Sequence, residues 1–458
     1  MAGEPLSLAY AVNTPALPVT PYPRLVYLLL EIVGPTGKGT LPVHLVIVVD
    51  LSDSMYFRLV TEEQFRSLAR RGMLREVMVD GVPAWHSEGI PEEVLALFPR
   101  KIDRVKDALR IVVEQLRPVD RFALIAFAGQ AKVLISTAPG SQKTRLLDAL
   151  ASLDLLQLGD ETRIGAGMAL GLEELRRGAA PGVAPRLLVL TDGFTMDEAE
   201  CRQQSARARQ HRIPISTMGL GGEFNEELMI PIADQTGGEA YLLEDADDIP
   251  AAFAQELGRA QAVRYRNLEV KLGLSQGVEV RSAYRVRPTI APLETVNQGG
   301  SYSFLLGDLT EGEAPALLVE LIAPPRPAGT YRIAQALLAC DDPAGGVAGQ
   351  KSRIDIVVEY TPDLARAAQV VPRVMQVVEM LSAFHLQARA QADLAAGDVA
   401  GATRRLRAAA TRLLEMGQAD LAAQMEQQAA DLERSGQADP QRTKKLRYET
   451  RKLTRKLE

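Results

Sequence analysis

The sequence predicts a doubly wound, Rossmann-like α/β domain embedded in an antiparallel β-sandwich and followed by a helical region, and three observations carry that prediction. The β-branched run Leu45-Val46-Ile47-Val48-Val49 reads as a parallel strand buried on both faces, and four further apolar runs alternate with amphipathic stretches after it. Beyond Gly258 the pattern changes to period-2 alternation punctuated by turn residues, the mark of an all-β unit. From Pro362 onward the chain reads as helices separated by Gly397-Asp398, Gly417 and Gly436, each a helix stop.

Taken in order, residues 1–39 hold two strands, Leu6 to Val12 and Leu25 to Val33, among Pro5, Pro15, Pro18, Pro21, Pro23 and Pro35. Proline at strand borders points to edge strands of a sandwich, so this segment is expected to join the later β unit. Residues 40–260 form the α/β domain. Its later strands are Phe122 to Phe127, Leu187 to Leu190, Ile213 to Met218 and Ala240 to Leu243. Its helices are Lys101 to Leu116, Ile164 to Arg177, Ala199 to Gln210 and Glu226 to Gln235. Residues 56–100 interrupt the alternation with an N-capped helix from Thr61, then a hairpin from Val77 to Trp85 turning at Asp80-Gly81. This insertion follows the first strand at its carboxyl end, beside the crevice where α/β ligands bind, as either a lid or a surface elaboration. Residues 261–361 hold the strands of the sandwich. Residues 362–458 form a helical bundle or hairpin, too little for a solenoid.

A chain of 458 residues exceeds one compact core, and 47% hydrophobic with 24% charged residues excludes a disordered chain. The net charge of −6 gives no footing for general nucleic-acid binding. The C-terminal run with Lys444, Lys445, Arg447, Arg451, Lys452, Arg455 and Lys456 reads as a solvated helix face. Cys201 and Cys340 read as two buried thiols of a reducing compartment. No leader pattern opens the chain, and no apolar run approaches the ~20 residues of a membrane helix. The expectation is a cytoplasmic protein without a membrane or nucleic-acid partner.

The chemistry concentrates in Val49-Asp50-Leu51-Ser52-Asp53-Ser54-Met55, at the end of the first buried strand. One carboxylate and two hydroxyls alternating on a turning loop suit a hard cation, Mg²⁺ or Mn²⁺, that prefers oxygen donors and keeps several waters. Two further segments open at the same sheet edge: Thr162, where a loop enters a helix, and Asp192, in Thr191-Asp192-Gly193 after the next strand.

With these residues the segment from about 43 to 258 resembles the von Willebrand factor A domain, whose metal-ion-dependent adhesion site combines an Asp-x-Ser-x-Ser loop with a later Thr and Asp. Met218-Gly219-Leu220-Gly221, Asn225-Glu226-Glu227-Leu228, Ala233, Gly237-Gly238 and Tyr241 extend the resemblance. It implies that Ser52, Ser54 and Thr162 ligate the metal and that Asp50 and Asp192 act through water. One coordination position is then left for an acidic residue of a protein partner, in a non-enzymatic interaction module of an assembly or signalling complex. The flanking strands also resemble the inter-alpha-trypsin inhibitor heavy chains, in which this domain sits within a sandwich. Two features depart from the family pattern: Asp53 replaces the small residue between the serines, with solvent as its expected environment, and the 56–100 insertion crowds the site. Thr144 rivals Thr162, but it lies in a Ser-Gln-Lys-Thr helix start that reads as a cap.

Two other readings stand beside this one. A Mg²⁺-dependent phosphatase-like hydrolase would use Asp50 as nucleophile, yet Ser52 stands where an acid/base Asp is wanted. A metal-free scaffold would leave the five residues without work. His44, His86, His211 and His385 are scattered without a nucleophile motif, Gly219-Leu220-Gly221-Gly222 is no dinucleotide fingerprint, and Trp85-His86 reads as a small local core in the insertion.

Overall fold

The structure, a computed structural model, describes residues 6–34, 41–59, 62–73, 75–79, 82–86, 90–95, 97–153, 156–342 and 347–456. In chain order, β1 (Ser7–Val12), β2 (Ala16–Pro18) and β3 (Arg24–Val33) lead into β4 (Val43–Asp50). The insertion holds α1 (Glu62–Arg70), β5 (Arg75–Val79), β6 (Val82–His86) and α2 (Glu92–Leu95). Alternation resumes with α3 (Lys101–Gln115), β7 (Arg121–Phe127), β8 (Ala131–Pro139), α4 (Lys143–Leu150) and α5 (Ile164–Arg177). It continues through β9 (Ala184–Thr191), α6 (Glu198–Gln210), β10 (Ile215–Leu220), α7 (Glu226–Thr236), β11 (Ala240–Leu243) and α8 (Ile249–Gln261). The later strands are β12 (Val263–Leu274), β13 (Glu279–Arg287), β14 (Ala291–Pro292), β15 (Asn297–Gln298), β16 (Ser301–Thr310), β17 (Ala316–Ala323), β18 (Gly329–Asp342) and β19 (Val347–Thr361). The chain closes with α9 (Leu364–Ala367), α10 (Pro372–Ala395), α11 (Val399–Glu415), α12 (Ala419–Ser435) and α13 (Pro440–Arg451).

The strand order β11-β10-β9-β4-β7-β8 puts β4 in the middle of the α/β sheet, parallel to both β7 and β9. Its side chains feed two layers, which is why the whole run is apolar. Val43, Leu45, Ile47 and Val49 pack with residues of α3 and α8, while Val46 and Val48 pack with residues of α5, α6 and α7. β8 is a strand the apolar-run pattern does not predict. It lies antiparallel on β7 at the sheet edge, where Lys132 and Ser136 are exposed and confine the apolar run to Val133–Ile135. α7 ends as its sequence requires: Gly237 takes a left-handed φ of 79°, and a Cβ on Gly238 would collide with the carbonyl oxygen of Ile215.

In the insertion, β5 and β6 form an antiparallel hairpin with Val79 opposite Val82. Thr61, the Asp80-Gly81 turn and the side chains of Trp85 and His86 lie outside the described residues.

Two antiparallel sheets make up the sandwich, ordered β1-β3-β17-β13-β14 and β15-β16-β12-β18-β19-β2, with β2 parallel to β19. The strands on either side of the α/β domain therefore share one core, in which Leu28 and Leu30 of β3 meet Val270 and Leu272 of β12 and Leu338 of β18. β3 is not the edge strand that its flanking prolines suggest. It pairs with β1 on one side and β17 on the other, and β1 takes the edge. Pro23 and Pro35 fall outside the strand, so every backbone N–H within it can join a ladder.

The C-terminal helices cover the outer face of the β3/β17 sheet. Leu29, Leu318 and Val286 pack against Val374, Val377 and Leu381 of α10, Leu413 of α11 and Met425 of α12. α13 turns back to the α/β domain, where Tyr448 joins the core under α7. Its basic residues are thus not the solvated face expected from their run. Lys444 and Arg451 are buried, Lys444 pairs with Glu226 at 3.0 Å, and Arg451 grips Asp234 through two N–H donors at 2.6 and 2.8 Å.

Candidate metal centre

The chain leaves β4 at Asp50, and the Leu51 amide donates to the Phe127 carbonyl at 2.7 Å, holding the start of the loop against β7. Asp50 is completely buried. Its Oδ1 accepts the Ser52 amide at 2.8 Å and its Oδ2 accepts the Thr191 hydroxyl at 2.7 Å. Burial pushes this carboxyl up to about 6, with the nearby charge of Asp192 adding to the shift and the amide and hydroxyl donors opposing it. The buried acid thus sits behind the loop and fixes its shape. A 3₁₀ turn over Asp53–Tyr56 then carries the two serines onto one side, with the Met55 amide donating to the Ser52 carbonyl at 2.9 Å. Ser52 Oγ and Ser54 Oγ lie 3.1 Å apart, and Ser54 Oγ donates to Asp192 Oδ1 at 2.6 Å. Asp53, between them, faces solvent.

Asp192 follows β9 directly, so the parallel register that pairs Val49 with Leu190 sets its loop beside the serines. Thr162 is held from the same side. The Met196 amide and the Thr195 hydroxyl donate to its carbonyl at 2.9 and 3.1 Å. Asp197 caps α5 by accepting from the Gly165 and Ala166 amides, both at 3.0 Å, and from the Thr195 hydroxyl at 2.6 Å. The Thr162 hydroxyl faces Gly193, the residue after Asp192, where a built Cβ would stand 4.0 Å from it. Asp50, Ser52, Ser54 and Asp192 therefore form one hydrogen-bonded chain, and Thr162 stands at its margin. Thr144 lies exposed in α4 and is not a helix cap, since Gln142 occupies that position.

The structure adds residues that the sequence pattern does not reveal. Thr191 locks the second oxygen of Asp50, and Thr195 with Asp197 fastens the Thr162 loop to the loop after β9. Lys101, the first residue of α3, donates to Asp192 Oδ2 at 2.6 Å. The Thr-x-Asp spacing of Thr195 and Asp197 ahead of α6 is a helix-capping signal in its own right. Lys101 carries no such mark.

The donor set fits a small hard cation. An octahedral Mg²⁺–O bond of about 2.1 Å places neighbouring donors about 3 Å apart, close to the 3.1 Å between the serine hydroxyl oxygens. Hydroxyls with two carboxylates and no imidazole or thiolate suit Mg²⁺ or Mn²⁺ rather than a softer ion. Ser52, Ser54 and Thr162 would hold such an ion, with Asp50 and Asp192 orienting the hydroxyls.

Residues 97–255 match the von Willebrand factor type A domain, and residues 372–456 match the Sll0103-like C-terminal alpha-helical domain. The chain is 27% identical over 320 residues to the uncharacterized protein sll0103 of Synechocystis sp., covering 68% of this chain and 74% of that protein. It is 26% identical over 162 residues to the uncharacterized protein YfbK of Escherichia coli, and there it covers 34% of this chain and spans only 28% of the relative. A solved von Willebrand factor type A protein from Catenulispora acidiphila has the same fold, with a TM-score of 0.74 at 16% identity over 98% of this chain and 97% of that one. The family match begins beyond the insertion, yet β4 completes the same sheet from ahead of it. The chain therefore contains a von Willebrand factor type A domain, with the Asp50–Ser54 loop supplied from before its insertion, followed by an Sll0103-like α-helical domain.

Proposed function

We propose that the Asp50–Ser54 loop, Thr162 and Asp192 bind Mg²⁺ or Mn²⁺, and that the ion bridges to an acidic residue of a protein partner. The observation that carries this reading is the pair of serine hydroxyls at octahedral spacing, backed by a buried carboxylate whose two oxygens are already engaged. That engagement also weighs against the hydrolase reading, because a nucleophilic Asp50 needs a free oxygen aimed at substrate. Phe57, Phe194 and Met196 flank the site in sequence and are 64%, 61% and 73% exposed, which supports an apolar contact around the ionic one. Cys201 and Cys340, both buried, fit an intracellular assembly, and no helix among the described residues is long and apolar enough to cross a membrane.

The test is calorimetric titration of the full chain with MgCl₂ and MnCl₂, followed by a pull-down with and without EDTA. Ser52→Ala and Asp50→Ala are expected to remove both the metal heat and the EDTA-sensitive partners. A partner set indifferent to EDTA and to both substitutions would take the metal bridge out of the model.

A further inference from the structure

Lys101 reaches the proposed site from a fixed position. Its ammonium donates to Asp192 Oδ2 at 2.6 Å while Ser54 Oγ donates to Oδ1, so the carboxylate is shared between the insertion's exit and the serine loop. Asp192 is 1% exposed and Lys101 25%, a geometry in which the ammonium is partly withdrawn from water. The backbone around it is tied to the chain just after the serines. The Leu59 amide donates to the Pro99 carbonyl at 2.8 Å, and the Lys101 amide donates to the Phe57 carbonyl at 3.4 Å. Arg58 and Arg100 form an antiparallel bridge, and an Arg58 guanidinium N–H donates to the Phe98 carbonyl at 2.9 Å. Arg100 and Asp103 close the start of α3 through a backbone contact at 2.8 Å and an ion pair at 2.7 Å. Both ends of the insertion are thereby zipped together beside the serines, and the zipper aims Lys101 at Asp192.

We infer that Lys101 is a resident cation of the site, whose charge beside Asp192 opposes a divalent ion at the serine hydroxyls, so that the base of the insertion sets the metal affinity. This rests on the reading that the site takes such an ion. An ion at the serine hydroxyls meets a positive charge on the carboxylate that orients Ser54, and in this partly dry corner like charges are poorly screened. The lysine also neutralises Asp192 through this contact. No other cationic side chain among the described residues pairs with Asp192.

The experiment is titration of the full chain with MgCl₂ at constant ionic strength, comparing wild type with Lys101→Met, Lys101→Gln and Lys101→Arg, and thermal melting of each with and without Mg²⁺. Both neutral variants should bind Mg²⁺ about tenfold tighter, since relief of one like-charge contact is worth at least that factor. Their metal-free melting points should fall and recover in Mg²⁺, and Lys101→Arg should stay close to wild type. Neutral variants that bind Mg²⁺ as wild type does, or more weakly, overturn the inference and leave the metal reading intact. Absence of Mg²⁺ binding in wild type and neutral variants alike overturns the metal reading, and the inference with it.

Discussion

Asp192 and Asp234 are both nearly buried carboxylates of the α/β domain, and their surroundings are opposite. Asp234 receives Arg285 at 2.9 Å and two donors from Arg451 at 2.6 and 2.8 Å, so sandwich and C-terminal helix converge on one acid. Glu239 is likewise held by Arg259 at 3.0 Å and by Arg455. Asp192 meets a hydroxyl and one lysine, and Asp50 beside it meets an amide and a hydroxyl. Where acids are saturated with guanidinium, the charge holds domains together. Asp50 and Asp192 share a single ammonium, so this region holds less positive charge than the clamp around Asp234.

The largest effect should come from the saturated side. Asp234→Ala leaves Arg285 and Arg451 buried without their shared partner and should cost about 3–5 kcal/mol in urea unfolding, with Mg²⁺ binding unchanged. A cost under about 1 kcal/mol would mean that the clamp is not structural.

His44 and Asp50 lie near opposite ends of β4 and separate the effect of burial from that of the site. Burial, chiefly, pulls His44 down to about 4 from 6.5, with Arg121 adding to the shift and Glu174 opposing it. A depressed histidine stabilises the fold fully above its unfolded value, and that contribution is lost as pH falls from 6.5 towards 4. Its size is about 3 kcal/mol. Replacing it by His44→Gln should flatten stability against pH across that window; an unchanged slope would count against the buried neutral imidazole.

Asp50 has the reverse sign. Its raised carboxyl costs stability progressively as pH climbs from 3.8 to about 6. Asp50→Asn should therefore be more stable than wild type without metal at pH 7, by up to about 3 kcal/mol, and should lose any rise in melting point on adding Mg²⁺. A metal-free variant less stable than wild type would place Asp50 with Asp234, as a structural acid, and erase the contrast.

Much of this arrangement is legible in the sequence because burial leaves marks there. β4 is an unbroken apolar run since it serves two cores, and α5 spans the residues its periodicity indicates. The Asp-x-Ser-x-Ser loop is legible because its residues are local. What escapes the sequence is pairing at a distance. β8 carries only a short apolar run, Val133 to Ile135, between Lys132 and Ser136 at a sheet edge. The basic run of α13 looks solvated until Glu226, Asp234 and Glu239 are brought to it by the fold. Lys101 looks like any lysine at the start of a helix, and only the closure of the insertion directs it to Asp192. β3 reads as an edge because its prolines are visible and its partner β17 lies on the far side of the α/β domain.

That last pairing imposes an order on biosynthesis. Glu31 pairs with Ala316 and Leu17 with Tyr360, so the nascent chain emerges with the first strands of a sheet whose other strands do not yet exist. At about 5–20 residues per second the wait is tens of seconds. The α/β domain, whose strands all lie between them, can mature first and leave the ribosome as a finished bead on an open ring. The sandwich closes that ring only after β12 to β18 have been made, so truncation before β12 leaves Val26, Leu28 and Leu30 without the strands that cover them.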